Sequence, residues 1–80
     1  MIGEIRIVKT GGPGLLIHPG KKGPRRRKQF EPERSLEDGC RVVVQNAIEK
    51  KYRDFQNWLK VSASNGFEGW VAAVYTVPVE

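Results

Sequence analysis

The sequence predicts a small all-β domain, a barrel or sandwich of five or six short strands with one long basic loop. Three observations point there. Runs of β-branched and aromatic residues recur at short intervals, turn signals built on Gly and Pro separate them, and no long segment carries a convincing helical stripe. With 80 residues the chain is read as one domain spanning 1–80. A chain of this size buries only about 60% of its unfolded surface, so the core has to be compact.

Taken in order, Ile5-Arg6-Ile7-Val8 alternates roughly and reads as the first strand. Gly11-Gly12-Pro13-Gly14 cannot extend a ladder and reads as a turn. Leu15-Leu16-Ile17-His18 is a second short strand, ended by Pro19-Gly20. Residues 21–35 have no pattern of their own and read as a long loop, a length that usually signals function or disorder. Leu36-Glu37-Asp38-Gly39 turns the chain into Cys40-Arg41-Val42-Val43-Val44-Gln45, whose β-branched content predicts a strand. Residues 46–57 read as a polar connection. Ala47, Ile48, Tyr52, Phe55 and Trp58 lie there at helical spacing, which leaves a short helix or turn as the alternative. Trp58-Leu59-Lys60-Val61-Ser62 and Phe67 to Ala72 are strands joined at Asn65-Gly66, a pair that tolerates the positive φ of a tight hairpin. Thr76-Val77 is a last short strand before Pro78.

Composition excludes several classes. No apolar run approaches the roughly 20 residues of a membrane-spanning helix. The opening Met1-Ile2-Gly3-Glu4-Ile5-Arg6 has no basic or apolar leader region, so no export signal and a cytoplasmic location are expected. A single cysteine, Cys40, allows no internal disulfide, and with His18 alone beside it no zinc set of the usual kind. Net charge is +5, and six of the 14 basic residues, Lys21, Lys22, Arg25, Arg26, Arg27 and Lys28, fall within eight positions that hold no acid. The rest of the chain sums to −1. A near-neutral body with a +6 loop attracts anionic partners through a salt-sensitive field.

Residues 36–77 resemble a bacterial SH3 (SH3b) domain. The resemblance rests on the Gly-containing turn into Val42-Val43-Val44, on Trp58 to Val61, and most specifically on Asn65-Gly66-Phe67-Glu68-Gly69-Trp70-Val71 followed by Tyr75. Leu15 to Gly20 is similar, more loosely, to the family's early strand. The resemblance implies a small SH3-like barrel with Val42, Val44, Leu59, Val61 and Val71 inward, and Ile7 with Leu16 or Ile17 completing the core. It implies a close strand approach or a bulge at Gly69 and a short 3₁₀ turn over Ala72 to Tyr75. Trp58 and Tyr75 match two aromatics of the peptide groove of signalling SH3 domains, but Ala72 replaces the groove Pro and Val74 the Asn. The loop that is acidic in those domains is basic here, so an acidic ligand is expected instead of a cationic Pro-rich one.

The remaining candidates carry no catalytic pattern. His18 is a lone imidazole, and Cys40 reads as a small buried residue without a base to activate it. Glu31/Glu33 and Glu37/Asp38 read as loop solvation and turn formation, and the Gly11–Gly14 segment as a turn and not a phosphate cradle. Trp70 is expected to cap one end of the barrel. No enzyme activity, metal or cofactor is expected. The expectation is a non-enzymatic interaction module that docks an acidic protein through Lys21, Lys22, Arg25, Arg26, Arg27, Lys28, Trp58 and Tyr75. RNA or single-stranded DNA on the same loop is one alternative, and a cell-wall peptide of the kind SH3b modules bind is another.

Overall fold

The computed structural model describes residues 2–79. Among the described residues seven strands form: β1 Ile5–Val8, β2 Leu15–Ile17, β3 Arg34–Leu36, β4 Arg41–Tyr52, β5 Phe55–Ala63, β6 Glu68–Ala72 and β7 Thr76–Pro78. A 3₁₀ turn, Ala73–Tyr75, separates β6 from β7, and among the described residues no helix is long and apolar enough to cross a membrane. The all-β expectation holds. Five strands make an antiparallel sheet in the order β6-β5-β4-β1-β7, and β2 pairs with β3 in a separate hairpin.

The closed barrel does not. Among the described residues the two sheets pair by backbone through one antiparallel bridge, His18 to Trp70, in which each N–H donates to the other's carbonyl at 2.8 Å. The reason is local. Pro19 and Gly20 follow directly on the bridge at His18, so no ladder can run on to close the wall. The bridge itself exists because residue 69 is glycine. At φ +154°, a Cβ there would collide with Ile17 Cγ2 and lie 2.8 Å from the His18 carbonyl oxygen. The close approach expected at Gly69 is therefore present.

Residues 46–57 are not a polar connection and hold no helix. β4 runs straight through to Tyr52, turns at Arg53-Asp54 and returns as β5. The apolar residues that mimic helical spacing face one another across this hairpin, Ala47 opposite Leu59, Ile48 opposite Trp58 and Tyr52 opposite Phe55. Register shifts between Val44 and Asn46 and between Glu49 and Tyr52 break the two-residue alternation, which is why the strand period is hidden in the sequence. The other hairpin, at Asn65-Gly66, forms as expected, although Gly66 alone takes a positive φ (93°).

Val42, Val44, Leu59, Val61 and Val71 are buried, as expected. Ile7 is not the core residue of β1. Val8 is 1% exposed, and Ile7 shares the outer face with Ile5 because neighbouring strand residues point to opposite sides. In β2, Leu15 and Ile17 turn inward and Leu16 outward. Leu36 of β3 completes the main core, and Trp58, Trp70 and Ala72 form a second cluster beside it. Cys40 is half-exposed at the edge, its Sγ 3.6 Å from Ser64 Oγ.

Candidate binding site

The basic segment is an organised loop tied to the body at both ends. Its start is held by the Trp70 indole, whose Nε1 donates to the Gly20 carbonyl at 2.9 Å, and by the Arg25 N–H donating to the Pro19 carbonyl. Pro24 is fully buried, and Gly23 lies so close to Ile48 that a Cβ would sit 2.9 Å from Cδ1. Its end is strand β3. In between, Glu31 is the hub. Both Arg25 Nη atoms donate to its carboxylate at 2.8 Å, the Lys28 N–H donates at 2.7 Å, and Arg27 Nη1 reaches the Glu31 carbonyl at 2.6 Å. The Arg25 hydrogen bonds, then the Lys28 N–H, lower the Glu31 carboxyl to about 2.

This corrects the reading of Glu31 and Glu33 as loop solvation. Glu31 consumes the charge of Arg25, and Glu33 lies 3.7 Å from Arg27. Lys21, Lys22, Arg26 and Lys28 remain as exposed cations with no carboxylate partner among the described residues. Asp38 is likewise more than a turn former. Its carboxylate accepts from the Thr10 N–H and hydroxyl and from the Gly11 N–H, and these contacts lower its pKa. The Gly11 amide of the glycine-rich turn is thus taken by Asp38, and the Gly12 and Gly14 amides donate to the Thr10 hydroxyl oxygen.

The expected aromatic patch is rearranged. Trp58 is 2% exposed and Trp70 0%, so neither presents a free face. Trp58 is an internal post. Its Nε1 donates to the Phe55 carbonyl at 3.2 Å, and His18, Tyr52 and Phe55 meet it edge-on at centroid distances of 5.2–6.1 Å. Tyr75 remains half-exposed and packs edge-on against Phe55. His18 is buried against these rings, and that burial, with Arg53 nearby, lowers its pKa.

Two hollows adjoin on this side of the molecule. A shallow apolar groove is lined by Leu15, Leu16, Phe55, Trp58, Ala72 and Tyr75. A cleft of about 460 Å³ lies between the basic loop and the β4–β5 turn, lined by Arg26, Arg27, Gln29, Glu33 and Arg53 over Leu16 and Ile17. Leu16, His18 and Arg53 belong to both. Of the expected binding residues, Arg26 and Arg27 line the cleft and Tyr75 the groove, and Trp58 forms the groove floor. Lys21, Lys22, Arg25 and Lys28 line neither.

Sequence reasoning missed Leu16, Phe55 and above all Arg53. The sequence carries little signal for them: Tyr52 and Phe55 pair across the turn, but Arg53-Asp54 is not one of the dipeptides that mark a two-residue hairpin. No group of three or more His, Cys, Asp or Glu among the described residues is placed to hold a metal ion. No family model matches this chain, and comparison with curated proteins and with solved structures finds no match.

Proposed function

We propose that the chain is a non-enzymatic, SH3-like interaction module that docks an acidic segment of a partner protein. Support for the architecture is the strand order β7-β1-β4-β5-β6 with a 3₁₀ turn before the last strand. The observation that carries the function is the sharing of Leu16, His18 and Arg53 by an apolar groove and a cation-lined cleft. One extended segment lying across them meets an apolar anchor point and a cationic one side by side. Apolar contact supplies affinity, and the field of Lys21, Lys22, Arg26 and Lys28 speeds encounter.

The test is a fluorescence-anisotropy titration with labelled ten-residue peptides, one acidic with a Leu and a Tyr, one neutral, and one basic and Pro-rich. The acidic peptide binds, and binding weakens with salt. Tyr75→Ala reduces affinity about tenfold, an amount typical of an aromatic hot spot. Equal binding of the basic peptide sinks the proposal. Trp58→Ala is the wrong probe, because emptying a buried indole site costs about 3–5 kcal/mol of stability.

A nucleic-acid reading has one observation in its favour. Phe30 is 82% exposed in the basic loop, with Lys28 Nζ 5.9 Å from its ring centroid, an arrangement on which a base could stack. With four unpaired loop cations, its log–log salt slope is about −3 to −4.

A further inference from the structure

Resting on that reading, we infer that the cleft between the basic loop and the β4–β5 turn is a carboxylate subsite. Arg26, Arg27 and Arg53 take an Asp or Glu side chain of an acidic peptide seated in the adjoining groove, and Glu33 is the internal carboxylate that this ligand displaces.

Arg53 carries the argument. It is the one non-glycine residue with positive φ (54°) among the described residues. That conformation is disfavoured for an arginine and natural for Gly, Asn or Asp in a hairpin turn. An arginine at a strained turn position points to a use for its side chain. The guanidinium carbon stands 5.6 Å from the Tyr52 ring centroid, so the side chain is braced on an aromatic, and it borders both cleft and groove.

Charge pairing is the second observation. Neither Arg26 nor Arg53 has a carboxylate at ion-pair distance among the described residues, whereas Arg25 is fully engaged at 2.8 Å. Arg27 lies between these extremes. Its partner Glu33 stands 3.7 Å away and is 66% exposed, a loose contact that a better-placed carboxylate replaces at little cost. Three guanidinium groups around one cleft suit the planar, two-oxygen geometry of a carboxylate.

The neighbouring groove favours a peptide over a nucleotide chain. Phe55, Tyr75, Tyr52 and Trp58 meet one another edge-on, and Trp58 is buried, so they offer a shallow apolar seat and no open slot for a base. The SH3-type groove is the seat of the anchor. The arginine cleft is what would make the module select for acid.

The experiment measures binding to the full chain of a capped ten-residue peptide containing one Leu, one Tyr and four Glu. A matched peptide with Gln for Glu and a ten-nucleotide oligouridine are run beside it. The Glu peptide binds at least about tenfold more tightly than the Gln peptide, and Arg26→Gln and Arg53→Asn each weaken it about fivefold or more. Glu33→Gln tightens it about threefold, by removing the competing carboxylate. Arg41→Gln, the same charge loss at the far end of β4, changes it less than about twofold. Thermal unfolding of Arg53→Asn occurs at the same temperature or higher, since Asn tolerates the turn conformation, which separates a binding role from a structural one. Should Arg53→Asn fail to fold, Arg26→Gln, an exposed loop position, decides. If the Glu peptide binds but both arginine variants match the wild type, the subsite is wrong and the interaction module stands. Failure of both peptides to bind removes both. Tighter binding of oligouridine, lost in the arginine variants, makes the cleft a phosphate site and overturns the inference.

Discussion

Single residues decide how this fold meets itself. Gly69 lets β2 approach β6 within backbone hydrogen-bond distance, and every larger side chain would meet Ile17 and the His18 carbonyl at once. Gly69→Ala should lower stability by about 2–4 kcal/mol, combining overpacking with a backbone angle that L residues avoid. Urea unfolding checks this, and a change under about 0.5 kcal/mol contradicts the close-approach account. Gly66 is the contrast, since open space surrounds it and only its φ of 93° constrains it. Trp58 and Tyr75 divide in the same way. The sequence marks both as groove aromatics, but Ile48 opposite Trp58 and three rings around it turn the indole into core. Tyr75, just before β7, keeps part of its surface open.

At the scale of elements, one carboxylate stitches two turns far apart along the chain. Asp38, in the turn after β3, holds Thr10 and Gly11, and the Thr10 hydroxyl in turn accepts from the Gly14 N–H at 3.0 Å. Asp38→Ala should therefore free the β1–β2 turn while leaving the sheet in place. Amide hydrogen exchange at Thr10, Gly11 and Gly14 should accelerate, with Val42 and Val61 unchanged. Uniform acceleration would mean that the turn is part of the global fold instead. Strand existence was legible wherever β-branched residues alternate, as in Val42 to Val44 and Trp58 to Val61. It was hidden in residues 46–57, where two register shifts scramble the alternation of the residues that face the Trp58 cluster. Strand β3 was hidden too. Arg34 and Ser35 are exposed, and only pairing with β2 makes them a strand.

For the whole molecule, His18, Glu31 and Asp38 are among the groups that link stability to pH in the same direction. Burial and Arg53 hold the His18 imidazole below its ordinary 6.5, Arg25 and the Lys28 N–H hold Glu31 at about 2 against 4.5, and Thr10 with Gly11 holds Asp38 below 3.8. In each case the unfolded chain binds the proton more readily than the folded one, so stability is greatest above 6.5 and falls as pH falls. The first loss begins near 6.5 and belongs to His18, and the second begins near 4.5 and belongs to Glu31, joined by Asp38 below that. Urea midpoints measured from pH 8 to 3 should show both steps, with His18→Phe removing the first and Glu31→Gln shrinking the second. A midpoint that rises on acidification would reverse these assignments.

Local signals alone determined the class of fold, the hairpin at Asn65-Gly66, most of the inward valines and the position of the cationic run, because each depends on neighbours within a few residues. Tertiary structure decided the rest. Whether a charge is spent or free depends on which carboxylate the fold brings to it: Glu31 silences Arg25, while Arg53, carried to the cleft by a hairpin the sequence disguised, stays unpaired. Whether the strands close depends on where β2 stops, and one bridge at His18 was all that Pro19 and Gly20 allowed.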